Sequence, residues 1–154
     1  MHLEGGAGIP DAWARLWAPH RMEYLKGENR PLEGNDVACP FCSIPSLSDE
    51  DGLIVHRGKE AYVVMNLYPY NAGHLLVCAY RHVADLTDLT ESERNEISHL
   101  SAQAMKTIRK VSSAAGFNLG MNQGAISGAG VAEHIHQHVV PRWGGDANFM
   151  PIIG

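Results

Sequence analysis

Residues 134–140 read His-Ile-His-Gln-His-Val-Val, with an imidazole at every second position. A helix would swing each of these three side chains about 200° from the last, whereas a strand sets His134, His136 and His138 on one face. The pattern therefore predicts a strand whose histidine face lines a site, because three buried imidazoles beside Val139 and Val140 cost stability unless each finds a polar partner. Two chemistries suit such a face. Three imidazoles can ligate one catalytic zinc, or one can attack as a nucleophile with the others as helpers. Gln137 points the opposite way, where it would affect packing or a subunit contact.

The elements around this strand follow from local signals. Leu53-Ile54-Val55 and Ala61 to Met65 flank the turn formers Arg57-Gly58-Lys59 and read as a hairpin. A break at Pro69 to Gly73 leads into His74-Leu75-Leu76-Val77-Cys78-Ala79, an apolar run of strand length that predicts a buried central strand. Thr90 and Glu93 form a capping box, after which Ile97, Leu100, Ala104, Ile108 and Val111 recur at helical spacing until Gly116. Phe117 to Asn122 supplies another strand, separated from the histidines by a loop, Gln123 to Ala132, that carries Gly124, Gly128 and Gly130. Hairpin-grouped strands with one long helix predict an α+β fold on an antiparallel sheet of about five strands. Residues 1–36, rich in Gly, Pro and charge with an aromatic patch at Trp13, Leu16, Trp17, Met22, Tyr24 and Leu25, are read as a short helical N-terminal arm. Residues 37–154 form a single domain on this reading.

The 154-residue length suits one core and one active site, and a net charge of −5 argues against a sequence-independent grip on nucleic acid. The sequence shows neither a secretory leader nor an apolar run of bilayer length, so a cytoplasmic location with no membrane partner is expected. Cys39, Cys42 and Cys78 are odd in number, and the C-x-x-C spacing of the first two suits a metal or redox site better than a disulfide framework. Pro45 follows closely and no βαβ pattern surrounds the pair, which weighs against redox. Cys78, in the apolar run, reads as core.

His-x-His-x-His followed by two apolar residues and Pro141-Arg142 is the signature of the histidine triad superfamily, which this chain resembles over nearly its whole length. Asn66 and Pro69-Tyr70-Asn71-Ala72-Gly73-His74 match the family's ribose-contacting Asn and upstream Gly-His. The early Leu16-Trp17-Ala18-Pro19-His20-Arg21-Met22 and the tail Pro141 to Phe149 are similar to the bacterial branch that splits dinucleoside polyphosphates. The resemblance implies that His136 is the nucleophile, attacking an α-phosphorus to give a covalent AMP-histidine intermediate. It further implies that His138 touches the phosphates or steadies the leaving group and that His74 orients the triad. Asn66 would hold the ribose, while Asn122 and the loop through Ala129 and Gly130 would donate to phosphoryl charge. Trp143 is a candidate for stacking on the base. In zinc-bearing members the C-x-x-C pair is completed by a later histidine and by the first of the triad. Cys39, Cys42, His82 and His134 would accordingly hold a closed, structural zinc.

Two departures from the family pattern matter. Gln137 stands where the motif usually has an apolar residue, and Gly130 stands where many hydrolytic members carry Gln. Actinobacterial diadenosine tetraphosphate phosphorylases share small residues there, which tips the expectation from water to inorganic phosphate as acceptor. Magnesium would arrive with the polyphosphate, since the sequence offers no dedicated carboxylate site. The family's habit implies a homodimer or homotetramer. Three rival readings stand beside this one: hydrolysis of diadenosine tetraphosphate or of adenosine phosphoramidates, a metallohydrolase with one zinc on His134, His136 and His138, and a nucleotide-binding module without turnover.

Overall fold

The computed structural model describes residues 39–146. The expected arm at 1–36, with His20 and Arg21, lies outside them, as do Asn148 and Phe149 of the tail. A four-residue helix, α1 (Pro40–Ser43), precedes the hairpin β1 (Ile54–Arg57) and β2 (Ala61–Met65), followed by β3 (Leu75–Ala79), the long helix α2 (Glu91–Ser112), β4 (Gly116–Gly120) and β5 (His136–Arg142). The strands form one antiparallel sheet in the order β1-β2-β3-β5-β4. This is the α+β architecture the sequence predicts.

Strand periodicity divides the core between the two faces of the sheet. Ala61, Val63, Leu75, Val77, Ala79 and Val139 meet Ile97, Leu100, Ala104 and Ile108 of α2. Tyr62, Val64, Leu76 and Cys78 cluster with Phe41 of α1 on the other face. All five residues of β3 are buried, because both of its faces are covered. The register pairs Leu76 with His138 and Cys78 with His136, which puts both imidazoles on the α1 face at the centre of the sheet.

Helix α2 opens on the predicted capping box, with Thr90 Oγ1 accepting from the Glu93 N–H and Glu93 Oε2 accepting from the Thr90 N–H. Its end differs from expectation. Ser113, in the left-handed region at φ 54°, caps the helix, and Gly116 instead opens β4. Val111 is 74% exposed, since the last turn has already left the sheet. In the second turn of α2, the Glu96 carboxylate accepts the N–H groups of Lys59, Glu60 and Ala61 and so clamps the helix to the β1–β2 turn. Gly58 allows that turn its tightness: a Cβ there would lie 2.6 Å from the Ala61 carbonyl.

Candidate active site and metal cluster

The strand carrying the triad begins at His136, not at His134, which sits in a bend just before it. All three histidines are nonetheless buried on the α1 face, where the Phe41 ring lies 5.6 Å from that of His134 and 4.7 Å from that of His136. They do not converge on one point. His134 faces the cysteines, while His136 and His138 line a cleft of about 390 Å³. This arrangement contradicts one catalytic zinc held by all three, because the hydrogen bonds of each ring point it to a different partner.

Those bonds fix the tautomers. His136 Nδ1 lies 2.8 Å from the His134 carbonyl oxygen, which can only accept, so Nδ1 carries the proton and Nε2 keeps its lone pair. Burial pushes the His136 pKa below its ordinary value, outweighing the opposing pull of the bond to the His134 carbonyl, and the ring is therefore neutral at pH 7. A relay orders the second ring. The Tyr70 N–H donates to His74 Nδ1 at 2.9 Å, which leaves His74 Nε2 to donate to His138 Nδ1, also at 2.9 Å. A neutral His138 then carries its proton on Nε2. One ring thus offers a lone pair at Nε2 and its neighbour, 5.0 Å away between centroids, offers a proton at Nε2.

His74 is itself held from several sides. Tyr70 stacks on it at 5.0 Å, and Asn66 Nδ2 reaches its Nδ1 at 3.3 Å while Asn66 Oδ1 accepts from the Tyr68 N–H. Asn66 also lines the cleft, with Asn122 and Gly130. Ala129 is buried and is not among the lining residues. Trp143 departs from expectation: it packs against the α2-face core and its Nε1 donates to the Ser112 carbonyl at 2.9 Å, so it lies across the sheet from the cleft. Position 143 follows β5 at odd spacing from the histidines, and strand alternation alone puts it on the opposite face. Gln137 obeys the same rule and borders a shallow depression with Met105, Leu119 and Met121.

Sequence reasoning assigned no role to Phe41 or Tyr70, though both line the cleft. The signals were present. Phe41 sits between two candidate ligands, and Tyr70 precedes His74 by four residues. The apolar part of the cleft also takes in Ile44, Leu53, Val64 and Leu76, with Leu53 in the left-handed region at φ 53°.

Cys39, Cys42, His82 and His134 bring one ligand atom each within 4.8 Å of one another. His134 Nδ1 lies 3.5 Å from both sulfurs, and His82 Nδ1 lies 3.3 Å from Cys42 Sγ. In a tetrahedral site with Zn–S about 2.3 Å and Zn–N about 2.0 Å, the N···S edges measure about 3.6 Å, so the donors fit such an ion. The outer contacts fit as well. His134 Nε2 donates to the Ala79 carbonyl at 2.9 Å, which leaves Nδ1 unprotonated toward the sulfurs. Burial and the neighbouring Cys39 hold the Cys42 thiol above its ordinary pKa, a resistance to ionisation that a cation between the sulfurs removes.

The HIT domain model matches residues 48–145, and the chain belongs to that family. It is 51% identical over 155 residues to a Mycobacterium tuberculosis protein named AP-4-A phosphorylase, a match covering 99% of this chain and 80% of the relative. A Schizosaccharomyces pombe asymmetrical bis(5'-nucleosyl)-tetraphosphatase is 36% identical over 89 residues, or 58% of this chain and 48% of that one. Among solved structures, a Zn-bound histidine triad family protein from Mycobacterium smegmatis superposes with TM-score 0.63 at 28% identity, over 71% of this chain and 78% of the other.

Proposed function

We propose that the protein cleaves diadenosine polyphosphates by phosphorolysis, through a covalent AMP-His136 intermediate. The observation that carries this reading is the opposed pair of ring nitrogens, an unprotonated Nε2 on His136 beside a protonated Nε2 on His138. His136 Nε2 attacks the α-phosphorus of diadenosine tetraphosphate, and the bond to the bridging oxygen breaks to release ATP. His138 donates to that leaving oxygen. A phosphate oxygen then attacks the same phosphorus, the P–N bond breaks back onto His136, and ADP leaves. Splitting the displacement keeps each half within reach of neutral side chains. The substrate preference is supported by the 51% identity to the mycobacterial phosphorylase over nearly the whole chain.

Around these histidines, Asn66 would hold the ribose, and Asn122 with the loop backbone at Ala129 and Gly130 would donate to the phosphoryl oxygens. Among the described residues, no Lys or Arg lines the cleft, which favours a polyphosphate that brings magnesium as its own counterion. Gly130 leaves no side-chain donor to hold a water, which favours phosphate as acceptor; the yeast tetraphosphatase relative keeps hydrolysis as the second reading. The metal cluster would be a structural zinc, a choice supported by the Cys2His2 donor set and the zinc-bound relative. Bound there, zinc supplies a cross-link between α1 and the entry to β5. The chain is proposed to act in the cytoplasm as a homodimer or homotetramer; no described helix is long and apolar enough to cross a membrane, and β4 is an edge strand exposing Leu119.

The test is incubation with diadenosine tetraphosphate, with and without inorganic phosphate, with product identification and intact mass of a quenched sample. ADP plus ATP appearing only with phosphate supports phosphorolysis, and AMP plus ATP without it makes the enzyme a hydrolase. An AMP adduct must appear on the wild type and be absent from His136→Ala. If neither products nor adduct form, the reading fails.

A further inference from the structure

Phe41 stands where the metal cluster, the core and the nucleophile meet. It is the third residue of Cys39-Pro40-Phe41-Cys42, so its backbone lies between two of the four ligand positions. Its carbonyl oxygen accepts a 2.7 Å bond from the hydroxyl of Tyr62, a fully buried residue of β2. Its ring packs on His136 at 4.7 Å with a 44° tilt and on His134 edge-on at 5.6 Å. Among the described residues, the His136 ring makes one hydrogen bond, from Nδ1 to the His134 carbonyl. One hydrogen bond restrains the imidazole about its χ2 axis at a single atom; an aromatic face packed against the ring narrows the remaining swing.

From this we infer that Phe41 is a positioning residue for His136, and that the Cys2His2 cluster sets the nucleophile's orientation through it. The inference rests on His136 being the nucleophile. Helix α1 has only four residues and too few internal hydrogen bonds to hold its own place. Its position depends on anchors at either side of Phe41: Tyr62 below, and the cysteine sulfurs toward His82 and His134. Loosening either anchor moves the ring, and the ring is what holds the His136 imidazole with Nε2 toward the cleft. A residue that merely lined the substrate cleft would act on substrate affinity. A positioning residue acts on the rate at saturation.

The zinc-loaded protein and its Phe41→Leu and Tyr62→Phe variants are compared in single turnover at saturating diadenosine tetraphosphate, reading formation of the AMP adduct by intact mass. In parallel, ¹⁵N shifts of histidine-labelled protein report the proton on His136, and cobalt-substituted samples report the tetrahedral thiolate site by its visible bands. Phe41→Leu is expected to slow adduct formation by about tenfold or more and to average the two His136 nitrogen signals, with the cobalt bands intact. Tyr62→Phe should move both readouts in the same direction by a smaller factor. Unchanged His136 signals, or an unchanged rate of adduct formation at saturation, overturn the proposal. Where Phe41→Leu loses the cobalt bands, Tyr62→Phe decides it alone. If the wild type forms no adduct, the reading of His136 as nucleophile falls, and the nitrogen shifts still decide whether Phe41 holds the ring.

Discussion

Glu93 does two jobs with one carboxylate. It closes the capping box of α2 at Thr90, and its two oxygens accept from Arg81 Nε at 3.0 Å and Nη2 at 2.8 Å. The hydrogen bond from Arg81 is the chief reason its pKa falls from 4.5 to about 2, the Thr90 N–H helping against the cost of burial. That fall corresponds to about 3 kcal/mol of preference for the ionised form in the folded chain. Arg81 is 48% exposed, so solvent screening brings the expected loss in Glu93→Gln to about 2 kcal/mol at pH 7. The sign follows from linkage. A carboxylate whose folded pKa is depressed stabilises above its unfolded value and loses that contribution as pH falls through the folded one. About three-quarters of the difference between wild type and variant should remain at pH 4 and less than half at pH 3. Urea denaturation of both proteins at steps of pH measures this, and taking the difference at each pH removes effects common to the two, such as metal loss in acid. A loss of equal size at pH 7 and pH 3 would refute the electrostatic account and leave packing as the cause.

Chelation of the metal should lower Tm, and Cys39→Ser or His82→Ala should lower it similarly while reducing bound zinc measured by mass spectrometry; full metal content in either variant would exclude that residue as a ligand. Gly73, at φ +73° just before His74, is expected to lose about 1–2 kcal/mol on change to Ala and to slow turnover by displacing His74, which denaturation and steady-state kinetics read together. Trp143→Phe removes the bond to the Ser112 carbonyl and should cost about 1 kcal/mol with KM for the nucleotide unchanged. A raised KM would return Trp143 to the base pocket.

How much of this was legible depended on whether a side chain's position follows from one element or from several. The hairpin, the buried β3 and the capped start of α2 are local patterns, and each formed where its pattern lay. The far end of α2 was misjudged because Gly116 looks like a helix stop while Ser113 takes the left-handed conformation without glycine's freedom. Trp143 as a residue type suits a base contact and plain packing about equally, and its parity along β5 is what turns it to α2. Phe41 was legible only in part: its place between Cys39 and Cys42 sets it beside the cluster, but its contacts lie far off in the sequence. Its contacts to His134, His136 and Tyr62 span 93, 95 and 21 residues of sequence, and no local pattern carries information over such separations.

His134 explains why a run of three histidines serves two purposes without conflict. Its Nδ1 faces the sulfurs, its Nε2 donates to Ala79, and its carbonyl accepts from His136 Nδ1. Every polar atom of its ring, and its backbone carbonyl, is spoken for, so it cannot share in proton transfer; it joins the Cys2His2 cluster to His136. Two residues on, the pleat returns to the same face and His136 inherits a fixed tautomer from that carbonyl. Two further on, His138 receives its own from His74, a residue of the neighbouring strand's edge rather than of β5. The His136 and His138 rings are thus set by different elements, one through the backbone at His134 and the other through the Gly73-His74 bend. A disturbance at the metal cluster should therefore reach His136 and spare His138, and a disturbance at Gly73 should do the reverse.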